Sequence, residues 1–144
     1  MSDFPKLIPA FTALQGSLRS EPSYPIAVDA VFVSGADFIR GDPSGTHVRL
    51  QVDALLRDGP TGAAIRLSYT GTIKTAGTGA GKVFAGAADA RTTEFGDGFM
   101  HATFETGHPD LAGMETKVYV GAGRFILEQG KPVVVEYKIS EVAV

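Results

Sequence analysis

Cysteine and tryptophan are both absent from this chain of 144 residues, and histidine occurs only 3 times. Without cysteine the chain has no disulfides, no thiolate nucleophile and no cysteine-bound metal. The histidines are not spaced as metal ligands, and neither His-Glu-x-x-His nor Cys-x-x-Cys occurs. The sequence therefore predicts a site without metal.

Concentrated charge and long apolar runs are lacking as well. The 13 basic and 16 acidic residues give a net charge of −3, and the basic side chains are scattered. This pattern argues against nucleic acid and anionic membranes as partners. No apolar run approaches the length of a membrane span, and the start MSDFPKLIPAF lacks the basic region and apolar core of a secretory signal. We expect a cytoplasmic protein that binds no membrane.

Motifs that bind nucleotides or activate a serine are also missing. The stretch AGTGAGK (76–82) superficially resembles a phosphate-binding loop, but Val83 follows the lysine where serine or threonine is needed, and no helix is predicted after it. The context of a dinucleotide site and the Gly-x-Ser-x-Gly motif are absent too. We interpret the stretch as a flexible loop between strands and expect no cofactor.

Short segments rich in Val, Ile, Thr, Phe and Tyr, separated by many of the 18 glycines and 8 prolines, fill the chain. This pattern is typical of an antiparallel β protein. HPDLAGME (108–115) is the one place for a brief helix, because Pro109 can occupy its first position. No repeat or linker divides residues 1–144, so we predict one domain. The predicted strands are 11–18, 26–33, 47–56, 64–74, 82–88, 101–106, 117–127 and 133–142, with 36–39 as a short ninth.

The number of strands favours a closed sheet. Eight or nine strands form a sandwich or a barrel, because one open sheet of that size leaves exposed edges. The long runs, together with Gly71, Gly86, Gly121 and Gly123, favour a barrel, in which strands must bend. We therefore predict an all-β fold, a single antiparallel β-barrel of about eight to nine strands, with room for side chains or one small ligand.

One hairpin allows the faces of its strands to be assigned. With residues 59–62 as the loop, Asp53 lies opposite Ser68 and Gln51 lies opposite Thr70, which gathers polar side chains on one face. This face is either the solvated outside of the sheet or the wall of a polar cavity.

Three segments resemble one known family. GADFIRGDPSG (35–45) is similar to the Gly-Ala-Asp-Trp…Asp-Gly signature of the domain of unknown function 3237 family, also called uncharacterised protein family 0311. FETGHPDLAGMETKVYVGAGR (104–124) is similar to its Phe-Glu-Thr-Gly…Tyr-Ala-Trp-Leu-Asn…Phe-Val-Gly-x-Gly-x-Arg segment, and VEYKISEV (135–142) to its usual end. The similarity runs in the same order from about Pro9 to Val142.

The resemblance, to a fungal-type member, implies a calycin-like or lipocalin-like barrel with a central cavity. Such barrels are often oligomeric, and some fungal relatives are associated with isomerisation or cyclisation of natural products such as chalcones. This sequence has Phe38 in place of the signature tryptophan and Gly113, Met114 and Glu115 in place of Trp-Leu-Asn, so we expect a reshaped pocket. The motif positions carried over are Asp37, Glu105, Thr106, Gly121, Gly123 and Arg124.

Candidate catalytic residues lie in two of the matched segments. His101 and Glu105 share one face of a strand, about 7 Å apart, and form a general acid/base pair if that face lines the cavity. If it does not, the His101 ring is exposed to solvent and Glu105 closes a turn. Asp37 either shapes a turn or faces the cavity. We predict Asp37, His101 and Glu105 as the catalytic residues.

Three tyrosines interrupt apolar faces of the predicted strands. The hydroxyls of Tyr69, Tyr119 and Tyr137 each either hold a substrate oxygen or anchor the core through one hydrogen bond. The predicted substrate-binding residues are Tyr69, Glu115, Lys117, Tyr119 and Arg124.

Three classes of function remain. A cofactor-free isomerase, cyclase or lyase would move protons on a hydrophobic, natural-product-like molecule, and it requires ionisable groups with shifted pKa values inside a cavity. A carrier or sensor of a small hydrophobic ligand requires an apolar cavity with one or two orienting groups. A structural barrel would have no cavity. We favour the enzyme and expect it to form a homo-oligomer.

Overall fold

Within residues 2–144, nine antiparallel strands form one sheet, and eight of them close into a barrel. The structure is a computed structural model that describes residues 2–144. The strands are β1 (Lys6–Leu14), β2 (Ser17–Ser20), β3 (Asp29–Asp37), β4 (Arg40–Gly41), β5 (His47–Asp58), β6 (Ala64–Lys74), β7 (Gly98–Thr106), β8 (Tyr119–Ile126) and β9 (Val134–Ala143). They are ordered β3-β2-β1-β9-β8-β7-β6-β5-β4, and pairing of β3 with β5 closes an eight-stranded barrel with β4 as an extra strand. The predicted all-β barrel is confirmed.

The hairpin of β5 and β6 has the predicted register. Asp53 pairs with Ser68, and Gln51 pairs with Thr70. Asp53, Gln51 and Thr70 are exposed, whereas Leu67, on the opposite face, is buried. The polar face is therefore the solvated outside of the barrel.

The larger of two clusters of buried hydrophobic residues fills the barrel, in part with aromatic side chains. Phe11 packs edge-to-face on Phe104 with ring centroids 5.6 Å apart, and Phe104 packs on Tyr119 at 5.2 Å. Leu111 and Met114 belong to the same buried cluster. Both come from a 3₁₀ helix, so this helix closes one end of the barrel.

The 3₁₀ helix (Pro109–Met114) lies where a brief helix is predicted. Pro109 occupies its first turn, and the His108 ring accepts a hydrogen bond from the N–H of Asp110 at 3.1 Å. His108 and Asp110 thus shape the start of the helix.

The predicted strand over 82–88 is wrong, because a short helix, α1 (Gly79–Phe84), occupies this part of the chain. The hydroxyl of Thr78 accepts a hydrogen bond from the N–H of Gly81 at 3.0 Å and caps the helix. Gly81 also lies so close to the Thr75 carbonyl that a Cβ would stand 1.9 Å from its oxygen. A helix therefore begins within the glycine-rich stretch 76–82, which is predicted as a loop.

Two other strand assignments also change. The segment 11–18 contains a reversal, because Gln15 and Gly16 have positive φ values of 50° and 76° and separate β1 from β2. Gly86, with φ 61°, lies in a turn after α1 and bends no strand. The predicted ninth strand, 36–39, is divided between the end of β3 and the residues before β4.

Removal of the α1 cap should destabilise the protein modestly. We expect Thr78→Ala to lower the free energy of unfolding by about 1 kcal/mol, because the N–H of Gly81 loses its acceptor. Urea denaturation followed by tyrosine fluorescence measures the change. Thr78→Ser keeps the hydroxyl and is the control; equal stability of the alanine and serine variants would contradict the capping role.

Candidate functional site

An inner pocket of about 260 Å³ lies inside the barrel, at the end opposite the 3₁₀ helix. It opens between the β1–β2 turn at Gln15 and Gly16, the end of β3, and Phe84 of α1. The connection between β6 and β7, which contains α1, thereby forms part of its mouth. We refer to this cavity as the inner pocket.

Asp37 and Tyr69 reach the inner pocket because of the strand register. Asp37 pairs with Val52 across β3 and β5, and Val52 pairs with Tyr69 across β5 and β6. Paired residues of antiparallel strands project to the same face, so all three point inward. Tyr137 lines the same pocket from β9, and its ring meets that of Tyr69 edge-to-face at 5.6 Å. One carboxyl and two phenols are thus brought together.

Gly123 makes room for the ring of Tyr137. The two residues pair across β8 and β9, and a Cβ on Gly123 would stand 2.6 Å from Cε1 of the tyrosine. Gly121, two residues earlier, faces the flexible side chain of Met100 at 3.1 Å. The second glycine of the VGAG segment therefore has a specific packing role beside the pocket.

The environment of the inner pocket shifts the pKa values of all three groups upward. Burial raises the pKa of the Asp37 carboxyl, although solvent still reaches this side chain. Burial, followed by the neighbouring Tyr137 and Asp37, raises the pKa of Tyr69. Burial and the charge of Asp37 raise the pKa of Tyr137 to about 12. At neutral pH the tyrosines are protonated donors, and the carboxylate is more basic than an ordinary aspartate.

Apart from Gln15, the remaining side chains that line the inner pocket are apolar. Phe84 and Phe125 pack edge-to-face with ring centroids 5.7 Å apart at the mouth. None of the described residues that line the pocket is Lys, Arg or His. The other large apolar lining residues are Leu14, Phe32, Ile39, Leu50, Ile73 and Val135.

His101 and Glu105 lie on the outside of the barrel. The His101 ring contacts the Thr70 hydroxyl at 2.7 Å, and Arg66 donates a long hydrogen bond to Glu105 at 3.4 Å. Both side chains are exposed, because they alternate with the buried Ala102 and Phe104. They share a face as predicted, but this face is the outside of the barrel and does not line the inner pocket.

A larger groove of about 1060 Å³ crosses the outer face of β5 to β9. His101 and Thr70 belong to it, and Phe38 and Phe99, each more than half exposed, contribute apolar surface. Despite its size, most of its side chains are the outward-facing ones of the sheet. Asp37 lines both cavities, but only in the smaller inner pocket does it meet Tyr69 and Tyr137, so we place the candidate site there.

Tyr119 and Lys117 belong to a second internal polar group. The Tyr119 hydroxyl lies 2.8 Å from that of Tyr24, and Lys117 forms an ion pair with Glu141. Tyr119 is fully buried and neither residue lines the inner pocket. Of the two alternatives for Tyr119, the hydrogen-bonded core anchor matches this placement.

Glu115 and Arg124 act elsewhere in the fold. The carboxylate of Glu115 accepts a hydrogen bond from the N–H of Thr106 at 2.8 Å and ties the end of β7 to the 3₁₀ helix. Arg124 donates to Glu136 at 2.7 Å and lies over the ring of Phe95 at 5.0 Å. Neither of the two lines the inner pocket.

The structure thus joins two of the predicted site residues, Asp37 and Tyr69, with Tyr137, which the predicted set omits. A signal for Tyr137 is present in the sequence, because it shares one face of β9 with Val135 and Ile139. In residues 2–144, no three potential metal ligands gather into a site, and no helix is both long and apolar enough to cross a membrane.

Comparison with known proteins supports the fold. A family model described as a protein of unknown function, DUF3237, matches residues 5–142. The chain resembles the crystal structures of a conserved protein of unknown function from Rhodopseudomonas palustris (TM-score 0.72, 16% identity, 99% of this chain and 100% of that one) and a β-barrel-like protein from Acinetobacter baumannii AYE (0.67, 16%, 99% of each). A protein of unknown function from Clostridium acetobutylicum ATCC 824 has a TM-score of 0.64 at 18% identity, over 98% of this chain and 91% of that one. A search of curated proteins finds no match.

Proposed function

We propose that this chain, which belongs to the DUF3237 family of proteins of unknown function, is a cofactor-independent isomerase, cyclase or lyase acting by proton transfer. The proposal rests on the inner pocket. One observation carries the proposal: Asp37, with a raised pKa, stands beside Tyr69 and Tyr137 in a pocket whose other lining side chains, apart from Gln15, are apolar. Shifted ionisable groups gathered in a cavity are typical of acid/base catalysis. That the chain is a fungal-type member and a homo-oligomer stays a prediction.

In the proposed reaction the Asp37 carboxylate removes a proton from the carbon next to a substrate carbonyl. The electrons of the broken C–H bond form the enolate double bond, and the carbonyl π electrons move onto oxygen. The hydroxyls of Tyr69 and Tyr137 donate hydrogen bonds to this developing oxyanion. In a β,γ-unsaturated ketone, return of the proton to the γ-carbon moves the double bond and isomerises the substrate. Attack of the enolate carbon on an electrophilic double bond of the same molecule closes a ring, and the π electrons of that bond move outward and take up the proton from Asp37. Departure of a β-substituent with the electrons of its bond to carbon, protonated by the Asp37 carboxylic acid, leaves the enone and makes the enzyme a lyase.

The apolar wall supports a second candidate, a carrier or sensor of a small hydrophobic ligand. In that case Asp37 and the two tyrosines orient the ligand without chemistry. Incubation of the protein with α-tetralone in D₂O separates the two functions. Proton NMR measures deuterium incorporation at the carbon next to the ketone. Accelerated incorporation supports the enzyme, and binding without accelerated exchange supports the carrier.

The exchange rate should depend on pH through Asp37. The base must be ionised, so we expect kcat/KM for deuterium exchange to rise as pH increases through the raised pKa of this carboxyl and to level off above it. The tyrosines remain protonated throughout, since burial raises their pKa values. A pH–rate profile measured by NMR checks this. A rate that falls over the same interval would contradict Asp37 as the base.

The same raised pKa has a consequence for stability. Because the folded state holds the Asp37 proton more tightly than the unfolded chain, the protonated carboxyl stabilises the fold at low pH, and this stabilisation is lost as pH rises through the folded pKa. The Asp37→Asn variant has no such loss. Its free energy of unfolding, relative to that of the wild type, should therefore increase between acid and neutral pH. Solvent screens the partly exposed group, so we expect a gain below about 1 kcal/mol. Thermal unfolding at several pH values measures it.

A further inference from the structure

We propose that the inner pocket selects uncharged ketones or enones of one ring or two fused rings, with about ten non-hydrogen atoms enclosed. This inference rests on the proposed function, since it places the ketone oxygen between Tyr69 and Tyr137. It concerns which ligands the pocket can bind. The charge, the volume and the wall shape of the pocket each restrict the ligand separately.

The charge of the pocket excludes anions. Asp37 is the only acidic side chain among the described lining residues, and no basic side chain accompanies it there. A carboxylate in the pocket would lie near the Asp37 carboxylate in an apolar surrounding with no cation to balance it, which is unfavourable. An uncharged ketone avoids this repulsion and accepts the hydrogen bonds that the two phenols offer.

The volume of the pocket sets the size. An apolar cavity of about 150 Å³ holds a benzene molecule, which corresponds to about 25 Å³ for each non-hydrogen atom. By that measure the inner pocket, at about 260 Å³, holds about ten such atoms. One ring, or two fused rings with a ketone, fits; a further aromatic ring must extend past the mouth.

The wall of the pocket favours a flat ring. Tyr69 and Tyr137 form one edge-to-face pair at the inner side, and Phe84 and Phe125 form another at the mouth. Aromatic side chains of this kind pack well against planar ligands. With the oxygen at the tyrosines, the far side of the ring system lies toward Phe84. A substituent opposite the ketone therefore points out of the barrel.

Three compounds test the inference: α-tetralone, its phenyl derivative substituted at the benzylic carbon opposite the ketone, which points to the mouth, and its carboxylate derivative substituted one carbon closer to the ketone, next to the carbon from which Asp37 would remove the proton. Calorimetry at neutral pH gives their dissociation constants for the wild type and for Asp37→Asn. We expect the carboxylate to bind at least about tenfold more weakly than α-tetralone, and the phenyl group to add less than about threefold, because it gains little buried area. In Asp37→Asn the carboxylate compound should recover affinity, whereas α-tetralone should change little.

Each outcome bears on one proposal. Three results would overturn the size and charge selection. The phenyl compound could bind more than about tenfold tighter than α-tetralone, the carboxylate compound could bind as tightly as α-tetralone, or none of the three compounds could bind. The expected order of affinities without deuterium exchange would support the proposed selection and contradict the proton-transfer function. Deuterium exchange that is fastest with the phenyl or carboxylate compound would support the proton-transfer function and contradict the proposed selection. His101→Ala, on the outer face, is the matched control and should bind all three like the wild type.

Discussion

Asp37→Asn should abolish most of the catalysed deuterium exchange, lowering kcat by about 10²- to 10⁴-fold, the usual contribution of a general base. The amide has nearly the shape of the carboxyl but cannot accept the proton. Binding of α-tetralone should be largely kept, because the two phenols and the apolar wall remain. NMR exchange rates at saturating ketone, together with dissociation constants, separate the two effects.

The outer-face residues provide the controls for this variant. Glu105→Gln and His101→Ala remove the ionisable groups that the sequence favours, and both side chains are exposed on the outside of β7. We expect their exchange rates to remain within about twofold of the wild type, as for surface changes away from the site. If Glu105→Gln lost as much activity as Asp37→Asn, the inner pocket would be the wrong site.

Gly123→Ala should both destabilise the barrel and weaken ligand binding. The new methyl group would stand 2.6 Å from the ring of Tyr137, so the ring must move. Forcing an extra carbon into a packed interior costs about 1–3 kcal/mol. Displacement of Tyr137 also removes one of the two donors to the ketone oxygen. Urea denaturation gives the first effect, and calorimetry with α-tetralone gives the second.

Gly121→Ala is the matched control. Its methyl group would meet Sδ and Cε of Met100 at 3.1 Å, the end of a side chain that can rotate away. We therefore expect it to cost less than half as much stability as Gly123→Ala and to leave binding unchanged. Equal losses in the two variants would show that bending of β8, and not the position of Tyr137, requires these glycines.

The strand pattern was predictable because alternation and turn residues are local properties. The pairing of Asp53 with Ser68 follows from one short loop and a polar face, and the barrel follows from the number of strands. The helix α1 was missed because its apolar and glycine-rich residues also suit a strand. The Thr78 cap and the contact of Gly81 with the Thr75 carbonyl are visible only when the chain is folded.

The candidate site was predictable only in part, for a related reason. Alternation shows which residues share a face but not whether that face points inward, so His101 and Glu105 could not be separated from Asp37 by sequence. Inward direction depends on closure of the barrel between β3 and β5, a pairing of strands that are not adjacent in sequence. Tyr69 on β6 and Tyr137 on β9 have only β7 and β8 between them in the sheet, and their rings meet inside the barrel.

The core and the mouth of this barrel are separate groups of side chains. The aromatic cluster around Phe11 and Phe104 is distinct from a small cluster of Leu50, Ile73 and Ala80 at the open end. Tyr137 belongs to the first cluster and also lines the inner pocket, whereas Ile39 and Phe84 line the pocket from exposed positions outside both clusters. The barrel is therefore suited to directed evolution at these two exposed positions: a library at Ile39 and Phe84 could change what is bound with little loss of folding.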